Sequence, residues 1–299
     1  MWSEPRKSHI GGQDHRAVRP GARGAPPPPP PGRLSRSRRL LRGGDPPRTV
    51  VSSAVMMLRI GHRGAAGTRP ELTMPAFERA LELGVHMVEL DVQLTRDHQL
   101  VVLHDRQLGR TVQAQGPVRE RTLAELVQLD AGAWFGARWA GARVPALADV
   151  LALTAGRAEL NVEIKSAPED WEATADALLD LLQRSGRLDG TIISSFELGA
   201  LQAVRARSAA ARIGALWHDT DLDPMWSAAA SLRALTVHPH WSLVDDALIA
   251  EARRVGRQVI TWTVNDPDAM VELAGLGVDG LISDFPERLR ALRVPGQMA

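Results

Sequence analysis

Val88-Glu89-Leu90-Asp91-Val92 alternates apolar and acidic side chains. In a strand, a period of two puts Glu89 and Asp91 on one face and Val88, Leu90 and Val92 on the other. On its own, a Glu-x-Asp pair is ordinarily a solvated strand face. The surrounding chain argues for a different setting. Leu58–Gly61, Glu159–Ile164, Thr191–Ser194, Ile213–Trp217, Leu235–Val237, Val259–Val264 and Gly280–Ile282 also read as short strands. Helical patterns separate them, at Pro75–Leu83, Leu147–Leu153, Trp171–Leu182, Leu198–Val204, Met225–Ala230, Val244–Ala252 and Ala269–Leu273. With Met87–Val92 this makes eight strands joined by seven helical patterns, if the extended run Leu100–Leu103 and a short helix at Leu123–Leu129 are set aside as an insertion. Such alternation implies parallel strands joined by right-handed crossovers. Eight such strands in roughly 240 residues suit a closed (β/α)₈ barrel. An open doubly wound sheet is the alternative, but no GxGxxG turn follows the first strand. In a barrel, Val88, Leu90 and Val92 face the helices. Glu89 and Asp91 then point inward, where unpaired acids are costly.

Barrel chemistry belongs at the C-terminal ends of strands. His62, Arg63 and Gly64 follow the first strand, and His104 and Asp105 end the Leu100–Leu103 run. Glu163 and Lys165 end the Glu159–Ile164 strand, two apart and on one face. Each feature has a plain reading: a surface histidine, a solvated acid pair, a structural ion pair. Four strand ends carrying this chemistry together argue for one site. Two carboxylates aimed at one spot repel unless a cation or a shared proton relieves them.

The bulk composition sets limits. The chain has 299 residues, 44% hydrophobic and 24% charged, as in an ordinary globular protein. It has no cysteine, so a metal would sit on oxygen or imidazole, and a reducing cytoplasm suits it. Residues 1–55 hold 11 of the 36 Lys and Arg and 3 of the 35 Asp and Glu, a net of +8 that leaves the remainder at −7. An acidic body argues against nucleic-acid binding. No apolar run approaches the ~20 residues of a membrane span.

Residues 1–55, with six prolines at Pro26–Pro31 and the run Arg36-Ser37-Arg38-Arg39, do not read as folded. Three readings stay open: a disordered tail, a segment that binds an acidic partner or an SH3-like groove, or a stretch ahead of the true start at Met56 or Met57. The folded domain is expected over 56–299, with the insertion at about 95–145.

At this point a family resemblance emerges. Ile60-Gly61-His62-Arg63-Gly64, Pro70-Glu71-Leu72-Thr73, Val88-Glu89-Leu90-Asp91-Val92, Val102-Leu103-His104-Asp105, Asn161-Val162-Glu163-Ile164-Lys165 and Thr261-Trp262-Thr263-Val264-Asn265 resemble the successive signatures of the glycerophosphodiester phosphodiesterases. The resemblance is in order and runs from Leu58 to about Leu289. It implies a TIM barrel with a small insertion after the second strand, and hydrolysis of glycerophosphodiesters to glycerol 3-phosphate and an alcohol. It implies that His62 and His104 are the general acid–base pair. Glu89, Asp91 and Glu163 would bind one divalent cation, Mg²⁺ or Ca²⁺, and Arg63 and Lys165 would hold the phosphate. Glu71 and Trp262 join the substrate-binding candidates, Glu71 from just behind the ligand. Trp262 either lines the pocket wall or belongs to the core.

The chemistry agrees with these roles. A cation and two fixed basic side chains stabilise charge building on phosphate oxygens. Hard oxygen ligands favour Mg²⁺ or Ca²⁺ over zinc. One imidazole can deprotonate the nucleophile, water or the glycerol 2-hydroxyl, while the other protonates the leaving alkoxide. One departure stands out: Leu72 occupies a position where the family usually has Asn. An amide that could orient a ligand or cap the next helix is missing, and Thr73 is expected to take over as cap. Two rival functions remain, a phospholipase C- or D-like barrel acting on lipids and a non-catalytic binding barrel. The first would need an exposed apolar rim, for which Trp134, Phe135 and Trp139 are the candidates.

Overall fold

The computed structural model describes residues 57–292. The readings of residues 1–55 lie outside the described residues. Nine strands form one sheet: β1 (Leu58–Gly61), β2 (Met87–Leu94), β3 (Leu100–Val102), β4 (Glu159–Ile164), β5 (Thr191–Ser195), β6 (Arg212–Trp217), β7 (Thr236–Pro239), β8 (Gln258–Thr261) and β9 (Gly280–Ser283). Eight of them are parallel and close on themselves through β1–β2 pairing, so the fold is a TIM barrel. β3 stands outside the ring and pairs antiparallel with β2.

β2 is buried along its whole length. Its outward residues Val88, Leu90 and Val92 join the core between sheet and helices. Its inward face begins with Met87, which packs with Ile60, Ile192, Ile260 and Ile282 inside the barrel. Glu89 and Asp91 stand above Met87 on that same face. The register pairs Glu89 with Asn161 and Asp91 with Glu163 across β2 and β4. The segment between β2 and β4 has its own small core of Val101, Leu103, Val112, Val118, Leu126, Ala131 and Val144.

The helices α1 (Met74–Glu82), α2 (Leu123–Leu126), α3 (Leu147–Thr154), α4 (Trp171–Arg184), α5 (Leu198–Arg207), α6 (Asp223–Ser231), α7 (Asp246–Arg254), α8 (Pro267–Leu276) and α9 (Pro286–Ala291) follow the expected patterns, with shifted ends at several elements. The helix expected over Leu123–Leu129 is only the single turn α2, closed by a capping box between Thr122 and Glu125. α7 starts at Asp246 rather than Val244, because Asp245 caps it by accepting from the Leu248 N–H at 2.8 Å. β8 stops at Thr261, short of Val264, where the chain turns toward Pro267. α9, absent from the periodicity reading, starts on Pro286 at the position where a missing N–H costs nothing.

Leu90 is fully buried on the face opposite the two acids. Leu90→Ala is expected to lower unfolding free energy by about 2–5 kcal/mol in urea melts. A loss below about 1 kcal/mol would refute the tight packing assigned to this face.

Candidate functional site

The first loop builds one wall of the site. Arg63 adopts the left-handed region at φ +49°, and Gly64 follows at +84°. A Cβ on Gly64 would lie 2.6 Å from the Ala76 carbonyl carbon, so only glycine fits against α1 there. The turn aims the Arg63 N–H at Glu89 Oε2, 2.8 Å away. Leu72 is also left-handed, at φ +56°, and its N–H donates to the Arg63 carbonyl at 3.1 Å. This accounts for the amide expected at position 72: Asn tolerates the left-handed region far better than Leu. The expectation about Thr73 fails. Its hydroxyl makes no cap and donates instead to the Pro70 carbonyl at 2.7 Å.

Glu89, Asp91 and Glu163 converge at the C-terminal mouth. One oxygen from each lies within 4.8 Å of the others. They are 3%, 1% and 8% exposed, so water screens their repulsion poorly. Burial first, and then the neighbouring Asp91, push Glu89 up to about 7. The same two causes push Glu163 up to about 8, although Lys165 opposes them. Two cations lean on the cluster. Arg63 Nε lies 3.2 Å from Asp91, and Lys165 Nζ lies 2.6 Å from Glu163 and 3.8 Å from Asp91. Three carboxylates against two cations leave a negative surplus, and Asp91 Oδ2 has no hydrogen bond. An all-oxygen donor set of this kind fits a hard divalent cation.

The two histidines flank the triad, and a carboxylate holds each. His62 Nδ1 lies 2.6 Å from Asp284 Oδ1, and His104 Nδ1 lies 2.6 Å from Asp105 Oδ1. Asp284 and Asp105 both sit below the usual carboxylate range: burial opposes this, but hydrogen bonds from His62 and Asn265, and from Arg110 and His104, outweigh it. Ionised carboxylates only accept, so each Nδ1 carries the proton and each Nε2 is left for chemistry. His62 Nε2 lies 3.9 Å from Glu89 Oε2. Burial works against the His62 cation, but Glu89 and Asp284 hold its pKa above the ordinary value. Burial, with Arg63 and Lys165, drives His104 the other way in spite of Asp91.

Glu71 sits in this framework as a clamp. It accepts from Arg63 at 2.7 Å and takes two bonds from Arg110, at 2.9 and 2.7 Å. Arg110 also donates to Asp105 at 2.6 Å. The chain His104–Asp105–Arg110–Glu71–Arg63 thus ties the segment after β3 to the first loop. Trp262 donates to the His238 carbonyl at 2.8 Å and stands edge-on to Phe196 and His240. A cleft of about 490 Å³ opens beside His104, Glu163 and Lys165, walled by Phe196 and Glu197. Sequence reasoning missed Asp284, Arg110 and Phe196. Asp284 directly follows the last strand, so the strand-end rule that flagged His62 also applies to it. No comparable signal marks Arg110, which lies in a loop.

The profile of the Glycerophosphoryl diester phosphodiesterase family matches residues 62–288. The chain belongs to that family. It is 37% identical to a glycerophosphodiester phosphodiesterase of Caldanaerobacter subterraneus subsp. tengcongensis over 78% of this chain and 96% of that protein. The barrel matches an Oleispira antarctica phosphodiesterase, solved with the product sn-glycerol-3-phosphate, at a TM-score of 0.72 and 29% identity, over 78% of this chain and 94% of that one. A glycerophosphodiester phosphodiesterase from Agrobacterium tumefaciens matches at 0.70 and 29%, over 79% and 100%. Family membership makes this chain an enzyme, a phosphoric diester hydrolase.

Two outcomes are expected of this geometry. A carboxyl whose folded pKa is raised binds more protons folded than unfolded, so stability falls as pH rises through the window between the two values. For Glu163 that window runs from 4.5 to about 8. In EDTA, thermal melts across this range should show Glu163→Gln losing less stability with rising pH than the parent; equal slopes would exclude a buried, titrating Glu163. In Asp284→Asn the one remaining oxygen keeps the bond from Asn265 and an NH₂ donor faces His62 Nδ1, which favours the wrong tautomer and should cut kcat on the order of 10²–10⁴-fold. Unchanged kcat would show that the pair is only structural.

Proposed function

We propose that this enzyme hydrolyses glycerophosphodiesters to sn-glycerol 3-phosphate and an alcohol, with His62 and His104 moving protons and Glu89, Asp91 and Glu163 holding one divalent cation, Mg²⁺ or Ca²⁺. The observation that carries the reading is the meeting of three buried carboxylates and two carboxylate-held histidines at one barrel mouth. Bound there, the cation would supply Lewis-acid stabilisation of charge on the phosphoryl oxygens.

The protein's own groups have separable tasks. His62 stands 3.9 Å from Glu89 by its Nε2, and His104 lines the cleft that also holds Glu163. One takes the proton of the nucleophile and the other returns one to the leaving alkoxide oxygen. Asp284 and Asp105 keep both rings in the tautomer that makes this possible. Arg63 and Lys165 carry positive charge to the rim of the triad, where a phosphodiester anion must approach, and are the proposed phosphate partners. Glu71 acts one step back: its oxygens are taken up by Arg63 and Arg110, so it orients Arg63 rather than touching substrate. Trp262 and Phe196 supply apolar wall.

The substrate is proposed to be a small soluble diester. No helix among the described residues is long and apolar enough to cross a membrane. In the segment after β3, Trp139 is occupied between Arg69 and Arg138, at 4.9 and 5.0 Å, which leaves Trp134 as the exposed large aromatic there. That is a thin rim for a lipid surface. The cysteine-free composition supports a cytoplasmic setting.

His62→Ala and His104→Ala should each lower kcat on glycerophosphocholine by about 10²–10⁴-fold while the fold survives. EDTA should abolish glycerol 3-phosphate release, and Mg²⁺ or Ca²⁺ should restore it. Full activity after exhaustive chelation, or faster turnover of phosphatidylcholine than of glycerophosphocholine, would overturn the reading.

A further inference from the structure

A second cavity, of about 670 Å³, opens at the opposite, N-terminal end of the barrel. The N-terminal ends of β1, β4, β6 and β8 and the loops entering β2, β5 and β9 frame it. Arg157, Arg187 and Arg212 line it, against the carboxylates Glu159 and Asp279. This basic lining contrasts with a body that is acidic overall.

Two of the three arginines, Arg157 and Arg187, are not spent on the carboxylates, while Arg212 pairs with Glu159. The Arg187 guanidinium is anchored by backbone carbonyls, donating to Ala158 at 2.8 Å and Leu151 at 3.4 Å. It makes no hydrogen bond to a carboxylate among the described residues. Burial pulls its pKa below the ordinary arginine value, and Glu159 only partly opposes this. Arg212 shares its NH1 between Glu159 at 3.2 Å and the Asp189 carbonyl at 2.7 Å. Asp279 is engaged by the Val259 N–H at 2.8 Å. The exposed Arg157 side chain makes no hydrogen bond among the described residues, so its planar fork is available.

We propose that this cavity is a second anion site, separate from the catalytic mouth, that binds a phosphate dianion. Guanidinium forks match tetrahedral phosphate oxygens in geometry and charge. Carbonyl-anchored Arg187 is pre-oriented, which lowers the entropy lost on binding. Arg157 closes on the ligand from the rim. The proposal does not depend on the reaction assigned to the other end of the barrel.

Titration of the full chain with inorganic phosphate, followed by the backbone amide signals of Gly156 and Gly190, tests it. Both glycines line the cavity, and Gly64 reports on the catalytic mouth. Saturable shifts of Gly156 and Gly190 are expected. Arg157→Ala should weaken them on the order of tenfold, as should Arg187→Gln, while Lys165→Ala leaves them unchanged. Because Arg157 has no structural bonds to lose, its variant keeps the test valid even if Arg187→Gln fails to fold. Shifts confined to Gly64, shifts that grow without saturation, or an undiminished response in Arg157→Ala would overturn the proposal.

Discussion

The structure turns on a repulsion. Glu89, Asp91 and Glu163 are held together out of water, where like charges repel strongly, and hydrogen bonding in the barrel backbone keeps them there. The pairing of Asp91 with Glu163 between β2 and β4 is a register fact. A slip of one residue would send both acids of β2 into the helix layer and bring Val88, Leu90 and Val92 inside. The burial of those three residues on the outer face is therefore what keeps the acids in place. Hydrophobic packing on one side of a strand sustains electrostatic tension on the other.

That tension is only partly relieved within the chain. Arg63 and Lys165 lean on the cluster, yet burial first, and then the charge of Asp91, still holds Glu89 and Glu163 above the ordinary carboxylate range. The supports around the site follow from the same need. Arg63 is forced into a left-handed turn so that its N–H and its guanidinium reach two different acids. Glu71 and Arg110 then fix that guanidinium from behind and pass the constraint to Asp105 and His104. Leu72 shares the strained loop and adds buried apolar surface in place of an amide. The segment after β3 is thus more than cover for the barrel: it supplies one histidine, that histidine's carboxylate and the arginine joining both to the first loop.

The eight barrel strands, the placement of β3 outside the ring and the position of each acid at a strand end were legible from periodicity. Those features are local: alternation within five residues fixes which face a side chain takes. The legible part ended where partners come from distant chain. Asp284 meets His62 across 222 positions of sequence, and Glu71 meets Arg110 across 39. The reading of Thr73 as a cap failed locally: Thr73 stands at the N-cap position, but its hydroxyl is oriented to donate to the Pro70 carbonyl and accepts from no helix N–H.

By itself, then, the sequence determined the barrel, the inward face of β2, and which acids and histidines stand at strand ends, because short-range sterics and burial set these. Only the tertiary structure decided that three acids share one point. It also decided that each histidine is held at Nδ1 by a carboxylate, that Glu71 serves two arginines, and that a basic cavity faces away from the catalytic mouth. These depend on barrel closure and on loop paths, which bring together charges whose separation along the chain carries no record of their distance in space.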